Sequence, residues 1–140
     1  MIQRKQTLWL LISVICAVLT FTLPFYNGTV KTDAAGMVQG ADLTATDNIW
    51  LMLLAGAVAL VALLAIFLFK NRKIQFQLTF LGLVLSVGLV ALFYYYTTYF
   101  ETGGIALTAL ITLGAVAGFF FALRGIRADQ KLIRDLNRLR

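Results

Sequence analysis

The sequence predicts an integral membrane protein of the all-α class: a four-helix bundle with both termini in the cytoplasm and a C-terminal basic amphipathic helix. Two observations lead to this fold class. Apolar residues make up 61% of the 140-residue chain and charged residues only 13%, against about 25% charged residues in ordinary globular proteins. The apolar residues also fall into four long runs without charge. This composition argues against a soluble domain.

The four runs that contain no Asp, Glu, Lys or Arg define the predicted helices. They lie at residues 7–25, 49–69, 76–100 and 105–123, and they are 19, 21, 25 and 19 residues long. A helix of about 20 residues crosses the hydrocarbon core of a bilayer, and none of the runs has the polar face of a soluble helix. We therefore predict a membrane domain over residues 1–123 and a cytoplasmic tail over residues 124–140.

The first run also has the basic start of a secretory signal, in "MIQRKQT". Because no small-x-small cleavage site follows the run, we expect an uncleaved helix. Pro24 lies near the predicted outer end of this helix, where the proline ring is expected to end or kink it.

Eleven of the twelve basic residues fall in three segments that four spans would place on one side of the membrane. These segments hold Arg4 and Lys5, then Lys70, Arg72 and Lys73, and finally Arg124, Arg127, Lys131, Arg134, Arg138 and Arg140. Short segments rich in Lys and Arg stay in the cytoplasm. We therefore predict that both termini and the loop between helices 2 and 3 are cytoplasmic.

Each predicted helix carries small residues at helical spacing. These candidate packing residues are Ser13 and Ala17, Ala55 and Ala59, Gly82 and Ser86, and Gly114 and Gly118. Because lipid tails are as apolar as leucine, helices in a bilayer associate largely through close contacts between small residues. The pattern predicts a compact antiparallel bundle, and it leaves open whether these residues pack within the chain or against another subunit.

The predicted outer loop, residues 27–48, has no hydrophobic core of its own. A short hairpin is expected over residues 30–43, because "GMVQG" offers turn residues. Thr46 or Asp47 is expected to cap the second helix, since a Thr or Asp side chain accepts a hydrogen bond from the first helical turn.

The tail separates into two stripes on a helical wheel of about 100° per residue. Arg127, Lys131, Arg134 and Arg138 share one side, and Leu132, Ile133, Leu136 and Leu139 share the other. Asp129 interrupts the apolar stripe, and we expect it to pair with a base of the "KNRK" loop. The basic stripe predicts a contact with anionic lipids at the cytoplasmic face, with another membrane protein or with a second copy of the chain. The lack of interleaved aromatic residues argues against nucleic-acid binding.

The predicted spans contain no acidic or basic residue, which argues against a path for ions or protons. The chain has no histidine and one cysteine, Cys16, so the sequence predicts no catalytic site, no cofactor and no metal site. The expected function is that of a small non-catalytic accessory or scaffold subunit that packs against other membrane proteins. The alternative is binding or transport of a lipid or other apolar small molecule, because apolar pockets need few polar groups.

Three polar stretches carry a resemblance to a known family. They are "MIQRKQTLWL" at the start, "FKNRKIQ" from Phe69 to Gln75, and "IRADQKLIRDLNRLR" at the end. The chain resembles, over its whole length, a family of short, uncharacterised four-span inner-membrane proteins of Bacteroidota that is known only as a domain of unknown function. The resemblance implies a bacterial inner membrane and the same topology, and it implies no activity, substrate or cofactor.

Overall fold

A computed structural model describes residues 2–31, 38–68 and 70–138 of the chain. It is mostly helical, and a small sheet accompanies the helices. The helices are α1 (Ile2–Leu19), α2 (Ile49–Phe67), α3 (Arg72–Thr97) and α4 (Ala109–Arg138), and the strands are β1 (Tyr26–Lys31), β2 (Val38–Leu43) and β3 (Thr102–Ile105).

The four helices form a closed ring in which each packs against two others. Helix α1 contacts α2 and α4, and α3 contacts the same two helices. One core cluster lies midway along the bundle, around Leu10, Val58 and Phe119. The other lies next to the sheet, where the rings of Phe25 and Phe93 stack with centroids 4.7 Å apart.

The prediction of a purely all-α fold is wrong, because the chain segments at one end of the bundle form a three-stranded antiparallel sheet in the order β2-β1-β3. Tyr26 of β1 lies opposite Leu43 of β2 and Ile105 of β3. The expected hairpin is therefore longer than residues 30–43. Residues 38–40 of "GMVQG" lie within β2 rather than in a turn, and residues 36–37 fall outside the described residues.

The sheet also explains why α1 and α4 are bounded differently from the predicted spans. After α1 ends at Leu19, the Phe25 N–H donates to the carbonyl oxygen of Leu43 at 2.7 Å, and the Phe25 carbonyl accepts from the Ala106 N–H at 2.9 Å. These bonds hold the chain around Phe25 and Ala106 in an extended conformation rather than a helical one. Helix α4 therefore begins only at Ala109. From there α4 runs without interruption to Arg138, within the predicted tail.

The cap of α2 also differs from the expected one. Asn48, rather than Thr46 or Asp47, caps the helix: its Oδ1 accepts a hydrogen bond from the Trp50 N–H at 3.0 Å. The Asp47 carboxylate instead accepts from the Thr44 hydroxyl at 2.8 Å, within the preceding turn.

Three of the described helices are long and apolar enough to cross a membrane. These spans are Ile49–Phe67, Arg72–Thr97 and Ala109–Leu136, while the apolar part of the first helix, Lys5–Leu19, is shorter. Large apolar side chains such as Leu8, Leu60 and Val84 are exposed on the outside of the bundle. An apolar exterior on helices of this length indicates a membrane protein.

Replacing Gly28 with valine should separate β3 from β1. A β-carbon at this position would lie 2.7 Å from both the Phe100 ring and the Thr102 carbonyl oxygen. Overpacking of this kind costs about 1–3 kcal/mol, which corresponds to a loss of about five- to 150-fold in hydrogen-exchange protection. The amide of Glu101, which donates to Thr29, should report the loss.

Valine at Gly40 is the matched control for this change. Gly40 lies in β2, where a β-carbon would meet no atom within 4 Å. Exchange at Glu101 should therefore stay close to that of the unaltered protein in the Gly40→Val variant. Equal exchange in the two variants would show that the close approach at Gly28 does not hold β1 and β3 together.

Candidate functional site

A buried polar cluster joins three helices at the end of the bundle that carries the chain start and the tail. The Gln6 Nε2 atom on α1 donates to the Asp129 Oδ2 atom on α4 at 2.7 Å, and the Arg72 Nη1 atom on α3 lies 3.5 Å from the same oxygen. Gln6 is 5% exposed and Asp129 7% exposed, while the Arg72 side chain is 32% exposed. One carboxylate therefore contacts both an amide and a guanidinium across helix boundaries.

The local sequence allows this cluster because α4 has a glycine one turn before the aspartate. A β-carbon at Gly125 would lie 2.8 Å from Gln6 Cγ, so the bare backbone lets the Gln6 side chain cross α4 toward Asp129. Two further amides extend the network: Gln130 Nε2 donates to the Arg72 carbonyl at 3.4 Å, and Gln75 Nε2 donates to the Ala65 carbonyl at 3.2 Å. All four helices are thus tied at this end.

The expected pairing of Asp129 with a base of the "KNRK" segment is confirmed, and the base is Arg72. Arg72 and Lys73 do not lie in a loop, because they form the first turn of α3. Sequence reasoning missed Gln6, Gln75 and Gly125. The sequence signal for Gly125 was its position four residues before Asp129, the acid that interrupts the apolar stripe.

Next to the cluster lies a groove between α3 and α4, which we call the basic groove. Its volume is about 510 Å³, and it is lined by Arg72, Lys73, Arg127, Gln130, Lys131, Ile133 and Arg134. The structure thus brings two predicted sets of cytoplasmic bases together: Arg72 and Lys73 from one, and Arg127, Lys131 and Arg134 from the other. Lys70 and Arg138 are exposed and do not line the groove.

Arg127 connects the basic groove to a second cavity, which we call the apolar furrow. The furrow has a volume of about 320 Å³ and is lined by Phe80, Leu83, Phe120, Leu123, Arg124 and Arg127. The Arg127 guanidinium carbon lies 5.2 Å from the centroid of the Phe76 ring, a cation–π contact. Bases and apolar side chains are therefore contiguous along one seam between α3 and α4.

A third cavity, the outer pocket, lies on the same seam near the sheet. Its volume is about 540 Å³, and it is lined by Phe25, Val87, Val90, Ala91, Tyr94, Ile105, Ala109, Leu113 and Val116. Apart from the Tyr94 hydroxyl, these side chains offer only hydrocarbon surface, which suits an apolar occupant.

The predicted packing residues of α1 and α4 meet each other. The Ser13 hydroxyl donates to the Ala115 carbonyl at 3.1 Å. A β-carbon at Gly118 would collide with Ser13 and lie 2.8 Å from the Trp9 carbonyl oxygen, and one at Gly114 would lie 3.2 Å from Cys16 Sγ. These small residues therefore set the close approach of α1 to α4 within this chain.

The other predicted packing residues also face neighbouring helices of the same chain or its core. A β-carbon at Gly82 would collide with the Phe119 ring. Ala17 and Ala55 are fully buried, and Ala59 packs against the mid-bundle core cluster. Ser86 is buried as well, but its hydroxyl bonds the Leu83 carbonyl of its own helix at 2.8 Å.

In the described part of the chain, no three Cys, Asp or Glu side chains converge where a metal ion could bind. The chemistry of this end of the bundle is instead that of clustered bases beside an apolar surface. Such an arrangement attracts anionic groups at a membrane surface.

Comparison with known proteins gives one family. The sequence model of a family described as a domain of unknown function (DUF4293) matches residues 2–139. No curated protein and no solved structure matches the chain. The family match covers all four helices and the sheet, so it applies to the whole fold rather than to one motif.

Proposed function

Because the chain belongs to the DUF4293 family, a domain of unknown function, we propose its role from its own geometry: a small non-catalytic accessory or scaffold subunit of the bacterial inner membrane that packs against other membrane proteins. The observation that carries the proposal is the length of α4. Its 30 residues extend about 45 Å at about 1.5 Å per residue, beyond a hydrocarbon core of about 30 Å. The last turns of α4 therefore project into the cytoplasm as a rigid continuation of a membrane helix.

The proposal includes four spans with both termini in the cytoplasm. Helix α1 has 18 residues, which is a length of about 27 Å. Gln6 near its start contacts Asp129, and the Thr20 carbonyl just after its end accepts from the Ala45 N–H at 3.0 Å. Helix α1 thus runs from the basic end of the bundle to the sheet end. The bases gathered at the first of these ends favour the cytoplasm.

The projecting part of α4 offers a surface suited to a protein partner. Leu132 is 50% exposed and Leu136 is 61% exposed, on a helix whose other side carries Arg134 and Arg138. The buried contacts of Asp129 fix the base of this extension, so a partner meets an ordered surface and loses less conformational entropy on binding. The complementary surface would be an apolar patch bordered by acidic residues.

A photoreactive residue at position 136 tests the scaffold proposal in cells. We expect it to form one discrete protein cross-link, because Leu136 lies at the centre of the exposed apolar stripe. The same probe at Leu8 is the control, since Leu8 is equally accessible on a lipid-facing helix surface. Cross-linking of the Leu136 probe only to lipid, in a protein purified as a monomer, would refute the scaffold role.

The alternative function is binding or transport of a lipid or other apolar small molecule, and the outer pocket favours it. Its volume of about 540 Å³ lies in the range of small-ligand sites, and its lining is almost wholly apolar. Protein extracted in mild detergent would then retain a stoichiometric apolar molecule and no protein partner. Mass spectrometry of the purified sample separates this outcome from the scaffold.

A further inference from the structure

The basic groove and the apolar furrow share one outward face of the α3–α4 pair. On α3, Lys73, Phe76, Phe80 and Leu83 follow one another at spacings of three and four residues, which places them along one side of the helix. On α4, Lys131, Arg127 and Phe120 face the same seam. The seam therefore changes from basic to apolar over the distance of about two helical turns.

The change from basic to apolar falls at the depth of the lipid phosphates in the proposed topology. The charge-free run of α4 ends at Leu123, and Arg127 follows four residues later, at a distance of about 6 Å along the axis. The headgroup layer on each side of a bilayer is about 5–8 Å thick. Arg127 thus stands within the headgroup layer, while Phe80 and Phe120 lie at the depth of the acyl chains.

We propose that this seam binds one anionic phospholipid of the cytoplasmic leaflet, with its phosphate in the basic groove and an acyl chain in the apolar furrow. The described lining of the groove holds five cationic side chains and no carboxylate. Guanidinium groups bind phosphate oxygens through paired hydrogen bonds. The Asp129 carboxylate, which does not line the groove, lies 3.5 Å from Arg72 Nη1 and restrains that side chain.

The furrow is what favours a lipid over a soluble anion or an acidic peptide. A free phosphate or a peptide would use only the bases, whereas a phospholipid fills both cavities that meet at Arg127. The contact of Arg127 with the Phe76 ring places the cation directly over the start of the apolar surface. The site rests on these contacts and on the proposed membrane topology, but not on the scaffold role, so it stands whether or not the protein has a protein partner.

Native mass spectrometry of the full-length protein in detergent tests the site. Phosphatidylglycerol, phosphatidylcholine and glycerol 3-phosphate are added separately at equal concentration, and the bound fraction gives each affinity. We expect phosphatidylglycerol to bind at least about tenfold more tightly than the other two, because several bases near the surface each contribute about a fivefold gain in affinity for an anionic lipid.

Five variants locate the site. Arg127→Gln should lower the affinity for phosphatidylglycerol about fivefold, and the Arg127→Gln, Lys131→Gln, Arg134→Gln triple variant about a hundredfold. Arg138→Gln, on the same helix but outside the groove, should leave the affinity unchanged. Phe120→Ala should also weaken binding, whereas Phe67→Ala, an equally simple truncation of an exposed ring on α2, should not.

Several outcomes would overturn the proposal. Phosphatidylglycerol and phosphatidylcholine carry the same phosphate and differ in net charge, so equal binding of the two would remove the proposed selectivity for an anionic lipid. Equal losses in Arg127→Gln and Arg138→Gln would show that charge alone, rather than the groove, attracts the lipid. Glycerol 3-phosphate binding as tightly as the lipid would make the groove an anion site without a role for the furrow. Circular dichroism of each variant ensures that a loss of binding is not a loss of folding.

Discussion

Replacing Gly118 with valine should lower the free energy of unfolding by about 3 kcal/mol, the upper part of the range for overpacking a tightly packed interior. A β-carbon at Gly118 would meet the Ser13 hydroxyl and would lie 2.8 Å from the Trp9 carbonyl oxygen. The backbone of α1 cannot rotate away as a flexible side chain can. The two helices must therefore move apart, which also breaks the hydrogen bond from Ser13 to the Ala115 carbonyl.

Gly56→Val is the control for this prediction. Gly56 lies in α2, where a β-carbon would meet no atom within 4 Å. The substitution should therefore change the free energy of unfolding by no more than about 0.5 kcal/mol, through helix propensity. Unfolding of both variants in mixed micelles with increasing sodium dodecyl sulfate measures the difference. Equal stability of the two would show that α1 and α4 do not depend on the contact at Gly118.

The helices could be predicted from the sequence because a bilayer imposes a length on any apolar segment that crosses it. The charge-free runs at residues 49–69 and 76–100 correspond closely to α2 and α3. The small residues Ser13, Gly114 and Gly118, which the sequence offered as candidates, lie where α1 and α4 approach each other. Both signals are local, since each depends on residues of a single helix.

The sheet could not be predicted as a whole because its pairing is long-range. Thr29 and Thr102 are 73 residues apart, and their hydroxyl oxygens lie 2.5 Å from each other across β1 and β3. A run such as Thr102–Ile105 is short and contains two glycines, which gives it little strand propensity of its own. It forms a strand because β1 supplies the partners for its backbone hydrogen bonds. The periodicity of a sequence does not show which segment will lie beside it.

Only part of the candidate site could be predicted from the sequence, because the site also depends on contacts between residues that are far apart in the chain. The bases on α4 were identified from their stripe, and Asp129 was recognised as the residue that breaks it. That Arg72 and Lys73 share a groove with Arg127 depends on the packing of α3 against α4. The partner of Asp129 on α1, Gln6, is 123 residues away and carries no charge, so no pattern of charges points to it.

Replacing Asp129 with alanine should lower the free energy of unfolding by about 2 kcal/mol, the usual cost of leaving a buried polar group without its partner. The Gln6 amide would lose the acceptor to which it donates at 2.7 Å, at a position where it is only 5% exposed. The loss of the ion pair adds little, because the Arg72 side chain is about one-third exposed and water screens such pairs to about 1 kcal/mol or less. The same micelle titration measures the change.

Three companion variants separate the hydrogen bond from other effects of the Asp129 substitution. Asp129→Asn keeps an oxygen for the Gln6 N–H and should retain most of the stability. Asp135→Ala, at an exposed position on the same helix, should change it by no more than about 0.5 kcal/mol. The Gln6→Leu, Asp129→Leu double variant should be more stable than Asp129→Ala, because replacing both partners by apolar groups leaves no unpaired amide. If Asp129→Ala proved as stable as Asp135→Ala, the buried cluster would not be what holds the start of α1 against α4.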